Sequence, residues 1–172
     1  MRSLNLQAAS TALSKLRSEL SLESATAKSL NAIRQEINDA FVRIHSPSEY
    51  EYVGSNGVLL RSKEDQEDWS LDKVSTGQRA AFALSVFLAV NRSAAKAPPV
   101  ILIDDPVAHI DDLNALSFLD YLRDLAVTSK KQVFFATADA RVASLFARKF
   151  SFLGDDFKRI DLVRDVQVGA PC

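Results

Sequence analysis

The sequence of 172 residues contains one cysteine, Cys172 at its last position, so no disulfide can form within the chain. A reducing, cytoplasmic setting is the default expectation for such a chain. Two histidines and one cysteine are too few for a zinc site of usual ligand spacing. Neither His45 nor His109 has a credible nucleophile partner, which excludes a Ser-His-Asp hydrolase. Long hydrophobic runs are missing. The longest, Ala80 to Val90, has eleven residues and is interrupted by Ser85, well short of the ~20 that a membrane span requires. The start of the chain also lacks the charged leader and compact apolar block of a secretory signal. A formal net charge of −1 excludes a global basic field for nucleic acid, so any DNA contact has to be local or made by a partner. Finally, there are only five glycines, and none belongs to a Gly-x-x-x-x-Gly-Lys-Ser/Thr loop. That loop supplies the N–H cradle and the lysine for the β- and γ-phosphates, so a complete P-loop site is excluded.

What is present is an ordinary globular composition, 47% hydrophobic and 25% charged. Residues 1–45 contain no Pro and no Gly, and their apolar residues recur at helical spacing. Leu6, Leu13 and Leu20 are seven apart, with Ala9 and Leu16 between them, and the seam resumes at Leu30, Ile33, Ile37 and Ile44. The step from Leu20 to Leu30 is a phase shift or a break. This pattern predicts a helical arm, either a coiled-coil stump or a long amphipathic helix packed on its own domain. Ser46-Pro47-Ser48 stops it, because proline disfavours helix in the residue before it.

From residue 46 to 172 a second organisation is expected. Tyr50–Val53 and Val58–Arg61 read as strands around Gly54-Ser55-Asn56-Gly57, with Lys63–Asp68 a charged loop. Thereafter helix and strand alternate. Helices are predicted over Thr76–Asn91, Asp112–Thr128 and Asp139–Lys149, the second burying Leu113, Leu116, Leu119, Tyr121 and Leu122. Val100–Ile103 and Gln132–Ala136 read as strands buried on both faces, and Phe150–Leu153 and Arg159–Val163 as closing strands. The alternation predicts an α/β fold with a mainly parallel sheet flanked by helices.

Three segments carry chemistry. In Val74-Ser75-Thr76-Gly77-Gln78-Arg79, Ser75 and Gln78 form a capping box, and Gly77 leaves first-turn N–H groups open to a close-approaching ligand. A helix start of this kind suits phosphate, although alone it is most often an ordinary cap. Val100-Ile101-Leu102-Ile103-Asp104-Asp105-Pro106 ends a buried strand on two carboxylates, at the edge where open parallel sheets gather ligands. One carboxylate there suits Mg²⁺ through water, and a second can orient or deprotonate an attacking water. The plainer alternative is a loop start and a helix cap. Ala108-His109-Ile110-Asp111-Asp112 precedes the next helix, where either Asp serves as an N-cap. Lys130, Lys131, Arg141, Arg148 and Lys149 read as solvated helix ends, and Trp69 as a packing residue.

Taken in this order, the segments resemble a known family. Ser75-Thr76-Gly77-Gln78 is similar to the signature motif of ABC-type ATPases, usually Ser-Gly-Gly-Gln or Ser-Gly-Gly-Glu. Ile101 to Pro106 resembles their Walker B strand, and His109-Ile110-Asp111 their D-loop. The preceding helix and hairpin resemble the entry of a coiled-coil arm into the C-terminal lobe of SMC, SbcC and RecN-like heads. The resemblance covers roughly residues 30–165. It implies that Asp104 is the Mg²⁺-linked aspartate and that Asp105 occupies the catalytic-base position. It implies that Ser75, Thr76, Gly77 and Gln78 face ATP held by an opposing head, with Asp111 at the head–head interface. The implied cofactors are ATP and Mg²⁺. The implied partners are a Walker A-containing N-terminal lobe and a second head, with DNA met through the complete assembly. Such a head dimerises on ATP in repair, recombination, chromosome organisation or defence, and the isolated half is inactive. Two positions depart from the pattern: Asp105 stands where Glu is usual, and Ala138 where a switch histidine is common. These departures also admit an ATP-gated scaffold whose hydrolysis is vestigial.

Overall fold

The computed structural model describes residues 7, 10, 11, 14, 15, 22–54, 59–94, 96–106, 110–129 and 131–162. The chain divides into two compact units, Met1–Ala136 and Thr137–Cys172.

In the first unit, helix α1 (Leu22–Ala32) and helix α2 (Arg34–Ile44) are separated at Ile33, whose ψ of 26° leaves the helical range. The seam residues Leu6, Ala9, Leu13, Leu16 and Leu20 lie outside the described residues. Within α2 the seam turns inward. Ile37, Ala40, Phe41 and Ile44, spaced three and four apart, are fully buried against the domain's own elements. Each large apolar side chain so buried contributes about 1.5–3 kcal/mol. Phe41 meets Phe82 edge-on at 5.5 Å, and Tyr52 packs on the same ring at 5.1 Å. Arg43 sits 4.8 Å over the Tyr121 ring and pairs with Asp124, which ties α2 to the helix carrying those residues.

Strands β1 (Tyr50–Tyr52), β2 (Leu59–Ser62) and β3 (Asp68–Ser70) form an antiparallel sheet in that order. Tyr52 faces Leu60 and Leu60 faces Trp69. The third strand starts at Asp68, the last residue of the expected charged loop, and continues through Trp69 and Ser70, where the sequence suggests no element. Its three residues carry no alternation long enough to read, and pairing with β2, helped by the Arg61–Asp68 ion pair at 2.8 Å, supplies the strand.

Helix α3 (Thr76–Ser93) follows, then β4 (Val100–Asp104), helix α4 (Asp112–Thr128) and β5 (Gln132–Ala136). β4 and β5 pair in parallel, with Leu102 opposite Phe134 and Asp104 opposite Ala136. Lys131 donates to Asn91 Oδ1 at 2.6 Å, joining the end of α3 to the start of β5. The expectation that both strands are buried on two faces is overturned. Ile101 and Ile103 point inward, whereas Leu102 is 67% and Phe134 51% exposed. Among the described residues this sheet has two strands and one covered face, so burial alternates. On α4, Leu113 and Leu116 are likewise exposed rather than buried. The helix turns Asn114, Ala115, Phe118, Leu119, Tyr121, Leu122 and Leu125 inward instead, a stripe of three- and four-residue steps that includes a polar residue. Among the described residues no helix is long and apolar enough to cross a membrane.

Among the described residues, the second unit holds helix α5 (Ala140–Phe150), the 3₁₀ segment Ser151–Asp156 and an irregular stretch to residue 162. Asp139 caps α5, its Oδ1 accepting from the N–H groups of Arg141 and Val142 at 2.7 and 3.4 Å. No strand forms at 150–153 or 159–162; Val163 lies outside the described residues. Phe150 instead stacks on Phe146 at 4.1 Å, one helical turn earlier, a contact that extended backbone would pull apart. The 3₁₀ segment carries Gly154 at φ 56°, and Arg159 pairs locally with Asp161 at 2.8 Å.

Candidate functional site

The start of α3 is built by its own sequence. Ser75, extended at ψ 160°, accepts from the Gln78 N–H through Oγ at 3.2 Å, and its N–H donates to Gln78 Oε1 at 2.8 Å. This reciprocal pair satisfies two helix-end groups and fixes the entry of the chain. Thr76 stands in the first turn, where its Oγ1 accepts from Arg79 at 3.4 Å. Gly77 follows in the same turn, and its missing side chain leaves the helix end shallow.

The start of α4 is capped by Asp111, whose Oδ1 accepts from the Asn114 N–H at 2.9 Å and Oδ2 from Asn114 Nδ2 at 2.6 Å. The two helix ends meet. Asp111 Oδ2 lies 3.5 Å from the point a Cβ on Gly77 would take. Ser75, Thr76, Gly77, Gln78 and Asp111 therefore form one cluster around two helix N-termini. His109 lies outside the described residues.

Asp104 and Asp105 form a second feature, at the C-terminal end of β4. Both are exposed, and the Asp105 N–H donates to the Ala136 carbonyl at 2.9 Å, so its backbone still follows the sheet. Asp105 adopts φ 41°, in the left-handed region that side chains other than Asn and Asp rarely enter. Strained residues of this kind concentrate at functional sites. Among the described residues no group of three or more His, Cys, Asp or Glu gathers in metal-binding range. Mg²⁺ does not require one, because it is commonly held by one or two carboxylates and its own waters. An exposed aspartate at the edge of a parallel sheet is a donor of the right chemistry.

Three residues beside the first cluster are given no site role by the sequence. Asn114 is 2% exposed, and besides Asp111 it accepts the Ser46 N–H at 2.6 Å. Its signal was a polar residue between Leu113 and Ala115 in a largely apolar helix. Glu49 accepts from Gln78 Nε2 at 3.3 Å, a contact across 29 positions that no local pattern announces. His45 is 4% exposed and stacks on Phe41 at 5.2 Å, with neither ring nitrogen bonded among the described residues. Burial pushes its pKa below the usual imidazole value. Glu49, Asp111 and the Asn114 side chain oppose that shift, and Lys63 adds to it.

No protein-family model matches the chain, and no curated protein matches it significantly. Solved structures do. One comes from a study of the ATP-driven dimerization and DNA-stimulated activation of SMC ATPases, with a TM-score of 0.54 and 18% identity over 70% of this chain and 75% of that one. The SMC head domain from Thermotoga maritima gives 0.52 and 18%, over 71% of this chain and 43% of that one. The Smc head from Pyrococcus furiosus, with an extended coiled coil and bound to the C-terminal domain of ScpA, gives 0.51 and 18%, over 84% and 38%. The chain shares the fold of SMC head domains. It spans three quarters of the first of these chains and less than half of the latter two.

Proposed function

We propose that the chain is the signature and Walker B half of an SMC-like ATPase head, completed by a Walker A lobe. The observation that carries this reading is the meeting of two helix N-termini. Ser75, Gly77 and Gln78 sit at one and Asp111 at the other, within a fold shared with SMC heads. Each of these ends carries first-turn backbone N–H groups and a positive dipole end, features that suit a phosphate. A side chain on Gly77 would occupy the approach.

In this reading Asp104 holds Mg²⁺ and Asp105 orients the attacking water. When bound, Mg²⁺ would neutralise charge on the phosphates. The protein's own contribution is placement: the parallel sheet carries Asp104 at the C-terminal end of β4, and Asp105 follows it in a left-handed turn. The lobe that supplies the phosphate loop would cover the open face of β4 and β5, where Leu102 and Phe134 stand exposed opposite one another. ATP-dependent dimerisation of two completed heads follows, with DNA met by the whole assembly.

The test is ATP turnover and ATP-dependent dimerisation of the head assembled from this chain and a Walker A lobe. Ser75→Arg places a bulky side chain over the phosphate-facing helix end and is expected to abolish dimerisation. Asp105→Asn is expected to leave dimers that form with ATP and do not dissociate. Dimerisation that survives Ser75→Arg unchanged would remove the signature assignment. A scaffold reading is favoured by the short Asp105 side chain and by Ala138 at the position of the usual histidine. It predicts ATP-dependent dimers with no measurable turnover in the unsubstituted head.

A further inference from the structure

The turn after α2, residues 45–49, is bonded to both helix N-termini of the proposed site. Its first bond runs from the Ser46 N–H to Asn114 Oδ1 at 2.6 Å, and the same carboxamide donates through Nδ2 to Asp111 Oδ2 at 2.6 Å. The second runs from Gln78 Nε2 to Glu49 Oε2 at 3.3 Å, while the Oε1 of Gln78 holds the Ser75 N–H. One short segment therefore reaches Asp111 through one side chain and Ser75 through another.

We infer that Asn114 and Glu49 are positioning residues, and that through them the turn at 45–49 sets the spacing and orientation of the two phosphate-facing helix ends. The inference rests on the functional reading above. Geometry favours it over a purely structural role. Asn114 is buried, and its two polar atoms are each used on a different element, so it can only be satisfied when α2's end and Asp111 are both in register. Capping of α4 itself needs only the Asp111 Oδ1 bond to the Asn114 N–H. The Nδ2 bond is additional, and it fixes the oxygen nearest Gly77. The bond to Glu49 is likewise additional to the capping box, since Ser75 and Gln78 complete that box by themselves. Both extra bonds thus orient side chains that already cap their helices, and neither is required for the helices to start.

The experiment uses two variants and one rescue. Asn114→Asp keeps the acceptor for Ser46 and the side-chain shape but removes the donor to Asp111. Glu49→Ala removes the acceptor for Gln78, and Glu49→Gln keeps one. In the head assembled with its Walker A lobe, both Asn114→Asp and Glu49→Ala are expected to weaken ATP-dependent dimerisation at least about tenfold, the worth of one hydrogen bond involving a charged group. Affinity of the single head for ATP stays as it was, and Glu49→Gln dimerises like the unsubstituted head. In the chain alone, amide exchange should quicken at residues 75–79 for Glu49→Ala and at 111–115 for Asn114→Asp, leaving the later turns of α3 and α4 protected. Unchanged dimerisation in both variants overturns the positioning role while leaving the functional reading intact. If the unsubstituted head does not dimerise with ATP, the functional reading fails. The exchange data then decide the positioning claim by themselves, because uniform or absent quickening overturns it.

Discussion

Asp111 holds its Oδ2 3.5 Å from where a Cβ on Gly77 would stand, an ordinary van der Waals distance. A methyl group therefore fits at Gly77 without moving Asp111. Because glycine in a helix costs about 1 kcal/mol relative to alanine, Gly77→Ala is expected to stabilise the chain by up to that amount. The same methyl group fills the approach to the first-turn N–H groups, so ATP-dependent dimerisation of the completed head should fall. Denaturant unfolding and nucleotide-dependent size measurements read the two effects separately. A variant that loses stability would show that the helix end is tighter than this geometry allows.

His45 gives the fold a dependence on pH. Burial lowers its folded pKa below the ordinary imidazole value, so as pH falls the unfolded chain takes up a proton that the folded chain refuses. Stability is therefore full above the unfolded pKa and declines as pH drops below about 6.5. One such group limits the slope to about 1.4 kcal/mol per pH unit. His45→Phe retains the stack on Phe41 and removes the titrating ring. Unfolding free energies at pH 7.5, 6.5 and 5.5, conditions chosen to span about one unit either side of a free imidazole, should fall in the parent chain. In the variant they should fall distinctly less. Parallel slopes in the two proteins would assign the dependence to other groups.

Much of the fold was legible from residues close together in the sequence. The capping box at Ser75 and Gln78 depends on contacts within a few positions and appears where the pattern places it. Of Asp111 and Asp112 the cap is Asp111, and the strand expected over Val100–Ile103 runs one residue further, to Asp104. What was not legible depends on partners far along the chain or on faces left uncovered. Strand β3 exists because Arg61 and Leu60 pair with it. Leu102 and Phe134 read as core because apolar runs do not reveal how many layers cover a sheet. Phe150 read as a strand start, yet its ring belongs to the helix through Phe146. Glu49 and Asn114 carried no motif, since their role consists of bonds across 29 and 68 positions.

The backbone of Asp105 sets how that position responds to substitution. At φ 41° asparagine is as much at home as aspartate, so Asp105→Asn should leave stability within roughly 0.5 kcal/mol while removing turnover from the completed head. Asp105→Glu restores the residue usual in the resembled family and lengthens the reach to the water. It also forces a longer side chain into a conformation it disfavours, at a cost of roughly 1 kcal/mol. Turnover should rise as thermal stability falls. Unchanged values of both would show that neither reach nor backbone strain governs this site.

The open face of β4 and β5 supplies a test of the proposed partner lobe that leaves the helix-end cluster untouched. Leu102 and Phe134 are cross-strand neighbours, both largely exposed, on a sheet that includes the strand ending at Asp104. Burying such a pair against another lobe contributes about 1.5–3 kcal/mol for each side chain, whereas leaving it in water contributes nothing. Leu102→Glu combined with Phe134→Lys replaces the pair with opposite charges that can interact across the strands. Because both positions already face solvent, the isolated chain should keep its stability within roughly 0.5 kcal/mol per substitution. It should also resist self-association at high concentration better than the parent. Assembly with a Walker A lobe, read by co-purification and by ATP turnover, should be lost, since two charges would have to be buried without other partners. If the doubly substituted chain assembles and turns over ATP as before, the lobe docks elsewhere and this face has another use. If the substitution unfolds the chain alone, another part of the chain covers this face and no second lobe docks there.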